Sequence, residues 1–340
     1  MRDRPDVAVV MANYNGARYI AAAIESVIRQ TLSSWELIVI DDASSDDSVA
    51  IAERVAAGDP RITIVSQKAN RGPAAARNRA LELVTAHWIA IVDSDDLIPA
   101  QRLQCLLERA RVTGAAIIAD SLLEFSSQSR PRPFLPAWLT EENSWISLGT
   151  FIGSNCLYSR TPPLGYLKPV IRADVIRELD LRYDETLRIG EDYYFLVRLM
   201  AHGYRMLLEP ASFYFYRKHE KSVSHRMRTS DIVALIRAEE YFAEPGSRFS
   251  PPVEAALKRR QRSLRSLLAY DDVIKAIKRG EFATAASRVA QHPHIWPMLV
   301  QPIAARLRRL RQAFRQPNDD KALEALVIES SIARPTGAPS

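Results

Sequence analysis

Strand-length apolar runs alternate with helix-length amphipathic runs through the first 120 residues, and no other property of this chain limits its fold as much. Residues 7–11, 37–40, 62–65, 87–92 and 115–119 are short, nearly continuous apolar stretches, the pattern of strands buried on both faces. Between them, residues 17–30, 48–57, 74–84 and 101–112 repeat apolar side chains at helical spacing; Ile20, Ile24, Val27 and Ile28 share one face of the first. A strand–helix–strand repeat of this kind predicts βαβ units and a mostly parallel sheet. Ligands of such sheets lie outside the carboxyl ends of the strands, so the residues that follow each strand carry the functional information.

Four of these strand ends have chemical content. The first runs into Asn13-Tyr14-Asn15-Gly16, suited to a turn or helix cap, with Tyr14 placed where a ring can lie against a flat nucleobase. The second ends in Asp41-Asp42-Ala43-Ser44-Ser45-Asp46-Asp47. A carboxylate there can accept from a base N–H or a ribose hydroxyl, while Asp46 or Asp47 can cap the following helix. After the third strand, Gly72-Pro73 opens a helix whose N-terminus favours anions, and Arg77 lies one turn in, within reach of a phosphate or of the acidic motif. The fourth ends in Asp93-Ser94-Asp95-Asp96. Carboxylates so close repel one another, and a divalent metal bridging to a diphosphate would compensate them. The plainer alternative is a turn in which Asp95 or Asp96 caps a helix starting near Pro99. No Gly-x-Gly-x-x-Gly follows the first strand and no P-loop sequence occurs, which removes support for the common dinucleotide and nucleoside-triphosphate sites.

From residue 121 to about 187 aromatics and prolines appear without periodicity, the character of a long functional connection. Helical spacing returns at 191–202, opened by Glu191 and Asp192. These suit the positive end of a helix, or one of them can act as a general base. Residues 204–208 and 212–216 read as two short strands. Arg217, Lys218 and His219 follow, with Ser222 and Ser224 beyond, mixing a metal-ligand imidazole with cations and hydroxyls suited to a diphosphate.

The net charge of +6 hides an asymmetry. Residues 253–316 hold fourteen Lys or Arg against four Asp or Glu, so the acidic motifs sit in a remainder that is net negative. The basic helical stretches, 257–260 and 307–315, suit an anionic membrane surface or a solvated face of helices packed on the preceding domain. Aromatic residues are too sparsely interleaved with the cations for a nucleic-acid site. No apolar run approaches the roughly 20 residues of a membrane span. The N-terminus enters its first strand without a leader-like apolar region, and Cys105 and Cys156 have neither metal-ligand spacing nor the look of a disulfide framework. Cys105 is expected in the core, and a cytoplasmic protein, at the inner face of the membrane if it binds one, is the expectation.

In order and spacing, these segments resemble the family 2 inverting glycosyltransferases of the GT-A fold. The residues that carry the resemblance are Asn13-Tyr14-Asn15, Asp41-Asp42-Ala43-Ser44, Asn70-Arg71-Gly72 through Arg77-Asn78, Asp93-Ser94-Asp95-Asp96, Glu191-Asp192, and Tyr216-Arg217-Lys218-His219 with Ser222 and Ser224. The resemblance covers roughly residues 6–226 and implies an α/β fold, a GT-A-like Rossmann-type, mostly parallel sheet flanked by helices; the helical C-terminal region that follows has no match in it and is read from the helical character of the chain from Thr229 onward. The resemblance places the catalytic domain at 1–226, with a nucleotide-binding half to 120 and an acceptor and catalytic half from 121. A basic helical region at 227–320 and a disordered tail at 321–340 follow. It makes Asp41 or Asp42 the reader of the donor base, places Arg77 near base or diphosphate and Asp93 near the ribose, and adds Asn13, Tyr14, Asn15, Arg217, Ser222 and Ser224 to the donor site. Asp95 and His219 would hold Mg²⁺ or Mn²⁺, and Asp192 would be the catalytic base, supported by Glu191.

The processive signature Gln-x-x-Arg-Trp is missing, which favours single additions. The implied activity is transfer of one sugar from a nucleoside-diphosphate sugar, a UDP-sugar by default, to a saccharide or lipid-linked saccharide in exopolysaccharide or other cell-surface glycan synthesis. The rivals are a nucleotidyltransferase, whose Gly- and Lys-rich triphosphate loop this chain lacks, and a nucleotide-sugar-binding protein without catalysis.

Overall fold

In the computed structural model, residues 4–126, 129–139, 144–219, 227–242 and 249–299 are described. The chain begins β1 (Val7–Asn13), α1 (Ile20–Ile28), β2 (Trp35–Asp41), α2 (Ser48–Ala56), β3 (Ile62–Ser66), α3 (Pro73–Leu83), β4 (Trp88–Ile91), α4 (Arg102–Thr113). It continues with β5 (Ile117–Ser126), β6 (Ser129–Pro133), β7 (Ser144–Ile146), α5 (Leu148–Ser154), β8 (Val170–Arg172), α6 (Ala173–Glu178), α7 (Glu191–Ala201), β9 (Met206–Arg217). Three helices follow, α8 (Thr229–Phe242), α9 (Pro251–Lys278) and α10 (Phe282–Gln291). Among the described residues, 4–148 and 164–219 form one compact unit, and 149–163 with 227–299 form another.

The first unit is built on one mixed sheet in the order β3-β2-β1-β4-β8-β5-β9-β7, with β6 on β5. β1 pairs in parallel with both β2 and β4, so the chain reverses its direction of winding between β1 and β4. That switch point is where an open α/β sheet leaves a crevice at its carboxyl edge. The register sets Asn13 directly beside Asp41 at that edge. Val7 to Met11 are wholly buried, which explains why β1 is apolar at every position rather than at alternate ones. Gly72 takes φ +89° as the cap of α3 with Pro73 as its first residue, the helix start expected from the sequence.

Four expectations are corrected. The strand expected to end at 119 runs on to Ser126, and the two short strands expected at 204–208 and 212–216 are the single strand β9. β5 and β9 pair in parallel, but only Ser121 separates the paired positions Asp120 and Leu122, against Pro210 to Phe213 between Glu209 and Tyr214. The Pro-containing bulge looks like a strand end in sequence because it breaks the alternation. In the fold, Asp120 takes over the ladder there by accepting the Phe213 N–H at 3.0 Å. The helix expected near Pro99 starts at Arg102 with no side-chain cap, so neither Asp95 nor Asp96 caps it. Cys105 is half-buried on α4 rather than in the core. At the start of α2, Asp46 accepts the Ser48 N–H at 3.1 Å.

The second unit packs α9 against α10 around Ala269, Val273, Ala276, Ala285, Ile295 and Met298. Among the described residues no helix is long and apolar enough to cross a membrane. The basic stretch 307–315 and the expected tail 321–340 lie outside the described residues.

Arg102, fully buried, joins the parts of the first unit. It pairs with Asp120 at 2.9 Å, donates to the Lys168 carbonyl at 2.5 Å and lies 5.0 Å over the Tyr214 ring. Replacing it by Met leaves the Asp120 carboxylate buried without its cation, for a loss of about 3–5 kcal/mol. Urea unfolding of Arg102→Met is expected to show that loss, and Asp120→Asn on the same background is expected to recover part of it.

Candidate functional site

The carboxyl edge of the sheet is pinned by short polar bonds. Asn13 Nδ2 donates to Asp41 Oδ1 at 2.7 Å, and Ser44 donates its N–H and hydroxyl to the same carboxylate at 2.9 and 2.6 Å. A Cβ on Gly16 would come within 2.2 Å of Asn13 Oδ1, so a larger residue there would displace the Asn13 amide that holds Asp41. Asp42 accepts the Arg71 and Gly72 N–H groups at 2.8 and 2.7 Å and so ties the end of β2 to the start of α3. Burial raises the Asp42 carboxyl, against the pull of those two N–H groups. Tyr14 stands free of this packing, 54% exposed. Asn15 accepts the Ser45 N–H at 2.8 Å, with φ +51°.

Beyond this edge lies a buried network of two cations and three carboxylates. Arg77, one turn into α3, donates to Asp93 at 2.9 Å and Glu191 at 2.6 Å and lies 3.3 Å from Asp192. Lys168 Nζ bridges Asp93 at 2.8 Å and Asp192 at 2.7 Å. Burial alone would raise the Asp93 carboxyl, but Lys168 and Arg77 outweigh it and hold Asp93 down at about 2. Burial, and then the neighbouring Asp192 charge, raise Glu191. Burial would lower the Lys168 ammonium, yet Asp192 and Asp93 raise it well above its ordinary value. Asn78 fastens the approach to α7 by exchanging bonds with the Tyr183 backbone at 2.7 and 2.9 Å.

The turn after β4 separates its carboxylates. Asp96 is fully buried, accepting the Arg217 N–H at 2.8 Å and the Tyr214 hydroxyl at 2.8 Å. Burial, then the charges on Asp95 and Asp93, push Asp96 well up. The Asp95 side chain faces outward, 34% exposed, with Oδ2 2.8 Å from His219 Nε2. Oxygens of Asp93, Asp95 and Asp96 lie within 4.8 Å of one another. Asp93 is engaged by two cations and Asp96 by two neutral donors, which leaves Asp95 with His219 as the pair open to an ion. A carboxylate with an imidazole, near further hard oxygens, fits a divalent cation that would replace the proton the two share.

The structure thus brings Asn13, Asp41, Asp42, Arg77, Asp93, Asp95, Glu191, Asp192, Arg217 and His219 to one edge of one unit. Arg77 reaches the acidic motif. Arg217 is buried, its Nε donating to the Asp95 carbonyl at 2.8 Å and its guanidinium over Tyr19 and Phe125. Ser222 and Ser224 lie outside the described residues.

Sequence reasoning missed Lys168, Tyr214 and the separate fate of Asp96. Lys168 carries no local signal, being a single lysine between Leu167 and Pro169 in the aperiodic segment. Tyr214 lies in the strand expected at 212–216, but no local signal places its hydroxyl at the turn after β4.

The sequence profile of the family described as Glycosyl transferase family 2 matches residues 8–177. The succinoglycan biosynthesis protein ExoO of Rhizobium meliloti (strain 1021) is 35% identical over 331 residues, covering 97% of this chain and 94% of that protein. Staphylococcus aureus TarS residues 1–349, in complex with UDP-GlcNAc, superposes with a TM-score of 0.60 at 18% identity, over 78% of this chain and 71% of that one. The mannosyltransferase PcManGT of Pyrobaculum calidifontis, in complex with GDP-Man and Mn²⁺, gives 0.59 at 17% identity, over 97% and 87%. At those identities the solved structures establish the fold, which is GT-A.

Lys168→Met removes the buried ammonium between two partly buried carboxylates and is expected to destabilise the protein by about 3 kcal/mol at pH 7. A carboxyl held at about 2 contributes stability that is complete above its unfolded value of about 4 and lost as the pH falls through 2. Without Lys168 the folded-state carboxyl lies higher and the variant has less of this stability to lose, read as urea midpoints of variant and wild type converging as the pH falls from about 4 toward 2.

Proposed function

The chain belongs to glycosyltransferase family 2 and is a glycosyltransferase; from that premise we propose that it transfers one sugar from a UDP-sugar, with inversion, to a saccharide or lipid-linked saccharide acceptor in surface polysaccharide synthesis. The observation that carries this reading is the Lys168 bridge, which holds Asp192 of α7 against Asp93 at the carboxyl edge of the sheet. One carboxylate from the second half of the unit thereby faces the position of a nucleotide donor. ExoO, a succinoglycan biosynthesis protein, supports the polysaccharide setting, and TarS with UDP-GlcNAc supports the uridine donor.

In this reading the donor nucleotide lies along the carboxyl ends of β1, β2 and β4, its base against Tyr14 and near Asp41 and Asp42, its ribose at Asp93. Arg77 and Arg217 position the carboxylates rather than the phosphates, since their guanidinium groups are held by Glu191, Asp93 and the Asp95 carbonyl. Asp192, more exposed than Glu191, takes the proton of the acceptor hydroxyl as that oxygen attacks the anomeric carbon. The diphosphate leaves from the opposite face in the same step, so an α-linked donor gives a β product. Asp95 and His219 would hold Mg²⁺ or Mn²⁺, which when bound would supply Lewis-acid stabilisation of the leaving diphosphate. The exposed Lys258, Arg262 and Arg265 of α9 support peripheral association with an anionic membrane; vesicle co-sedimentation that fails to rise with phosphatidylglycerol content would rule this out.

A panel of nucleotide sugars, with Mg²⁺, Mn²⁺ or chelator, tests the assignment. Metal-dependent release of UDP is expected, lost in Asp95→Ala. Asp192→Asn is expected to lower kcat by about 10²–10⁴-fold while leaving donor binding intact. Wild-type turnover by Asp192→Asn would remove it as the base, and donor binding without turnover would favour a binding protein.

A further inference from the structure

Three aromatic side chains form a row beside the charge network. Phe134 and Tyr166 meet edge to face at 6.1 Å, and Tyr166 meets Tyr216 in the same manner at 6.4 Å. Tyr166 is 42% exposed. A core would bury such rings, and these three come from separate parts of the chain. Phe134 follows β6, Tyr166 ends the short helical turn Leu164–Tyr166, and Tyr216 lies on β9.

The row is joined to the catalytic centre at two points. Lys168, which bridges Asp93 and Asp192, is two residues beyond Tyr166, and the turn carrying Tyr166 packs against α7, which carries Asp192. Tyr216 immediately precedes Arg217, which holds the Asp95 carbonyl. A charged group adjoins the row as well. Glu124 is paired across the sheet with Tyr216, and its carboxylate is held by Lys218 at 2.5 Å and Arg132 at 3.0 Å.

We propose that Tyr166, braced edge to face by Phe134 and Tyr216, is the platform on which a pyranose ring of the acceptor stacks, with Glu124, Lys218 and Arg132 receiving its hydroxyls; the assignment rests on the glycosyl-transfer reading above. A pyranose presents axial C–H groups on at least one face and a rim of hydroxyls. Aromatic faces match the first, and charged donors and acceptors at the edge match the second. A lipid tail would have no use for the charged rim, and a diphosphate would leave the aromatic faces unused.

Saturation-transfer NMR with methyl β-D-glucopyranoside and methyl β-D-galactopyranoside, in the presence of UDP and Mg²⁺, tests this on the full chain. Transfer to the axial ring protons of one of the two saccharides is expected. Tyr166→Leu and Tyr216→Leu, which keep apolar bulk but remove the ring, are expected to weaken binding by about tenfold. Tyr166→Phe is expected to retain it, and the uracil signals of UDP are expected to stay unchanged throughout. Saccharide signals indifferent to the Leu substitutions, or no saccharide binding by a wild type that binds UDP, would overturn the platform and leave the transferase reading standing. Loss of UDP together with the saccharide in the Leu variants would assign the rings to the donor side and overturn the acceptor role. A wild type that binds no UDP would overturn the nucleotide-sugar reading and the platform with it.

Discussion

The buried network of Arg77 and Lys168 with Asp93, Glu191 and Asp192 is the interaction on which the rest of the site depends. Three carboxylates do not assemble in a low-dielectric interior without cations of their own, because their desolvation and mutual repulsion are each worth several kcal/mol. The two cations come from opposite directions, one from α3 and one from the irregular segment before β8. Their positions therefore decide where the first turn of α7 lies relative to the sheet edge. Two cations against three carboxylates also leave the centre acidic, with Asp95 beside it still carrying an outward face.

A second buried pair performs the corresponding task for the framework. Arg102 and Asp120 hold the point where β9 departs from regular pairing with β5, and the same carboxylate completes the ladder at Phe213. The bulge changes the register, so that past it Tyr214 points toward the turn after β4 and its hydroxyl reaches Asp96. Arg102 also donates to the Lys168 carbonyl, which couples framework and charge network through one side chain. A bulge next to a functional edge re-aims side chains in just this way.

The strand and helix order of residues 7–113 was legible because burial on both faces makes a parallel strand continuously apolar and gives each covering helix one apolar face. Arg77 was legible for a related reason, since Gly72-Pro73 locates the helix start and an arginine one turn on must lie near the strand ends. The second half was less so. β8 has three residues and enters the sheet antiparallel between β4 and β5, and no local pattern announces a strand that short. Lys168 lies two residues before it, so its place between Asp93 and Asp192 follows from that insertion alone.

Neighbouring carboxylates show the boundary most plainly. In Asp95-Asp96, as in Asp41-Asp42, the residue types and their place after a strand announce an acidic edge, and the strand and helix pattern by itself determines a mostly parallel sheet with that edge at its carboxyl ends. What each carboxylate holds depends on donors elsewhere in the chain: the Tyr214 hydroxyl and Arg217 N–H draw in Asp96 and leave Asp95 outward, whereas Asn13 and Ser44 claim Asp41, and Arg71 and Gly72 claim Asp42. Local patterning records how much apolar surface a segment must bury. The partner of a single polar group is settled by a hydrogen bond of about 3 Å, and only the tertiary structure brings two distant residues that close.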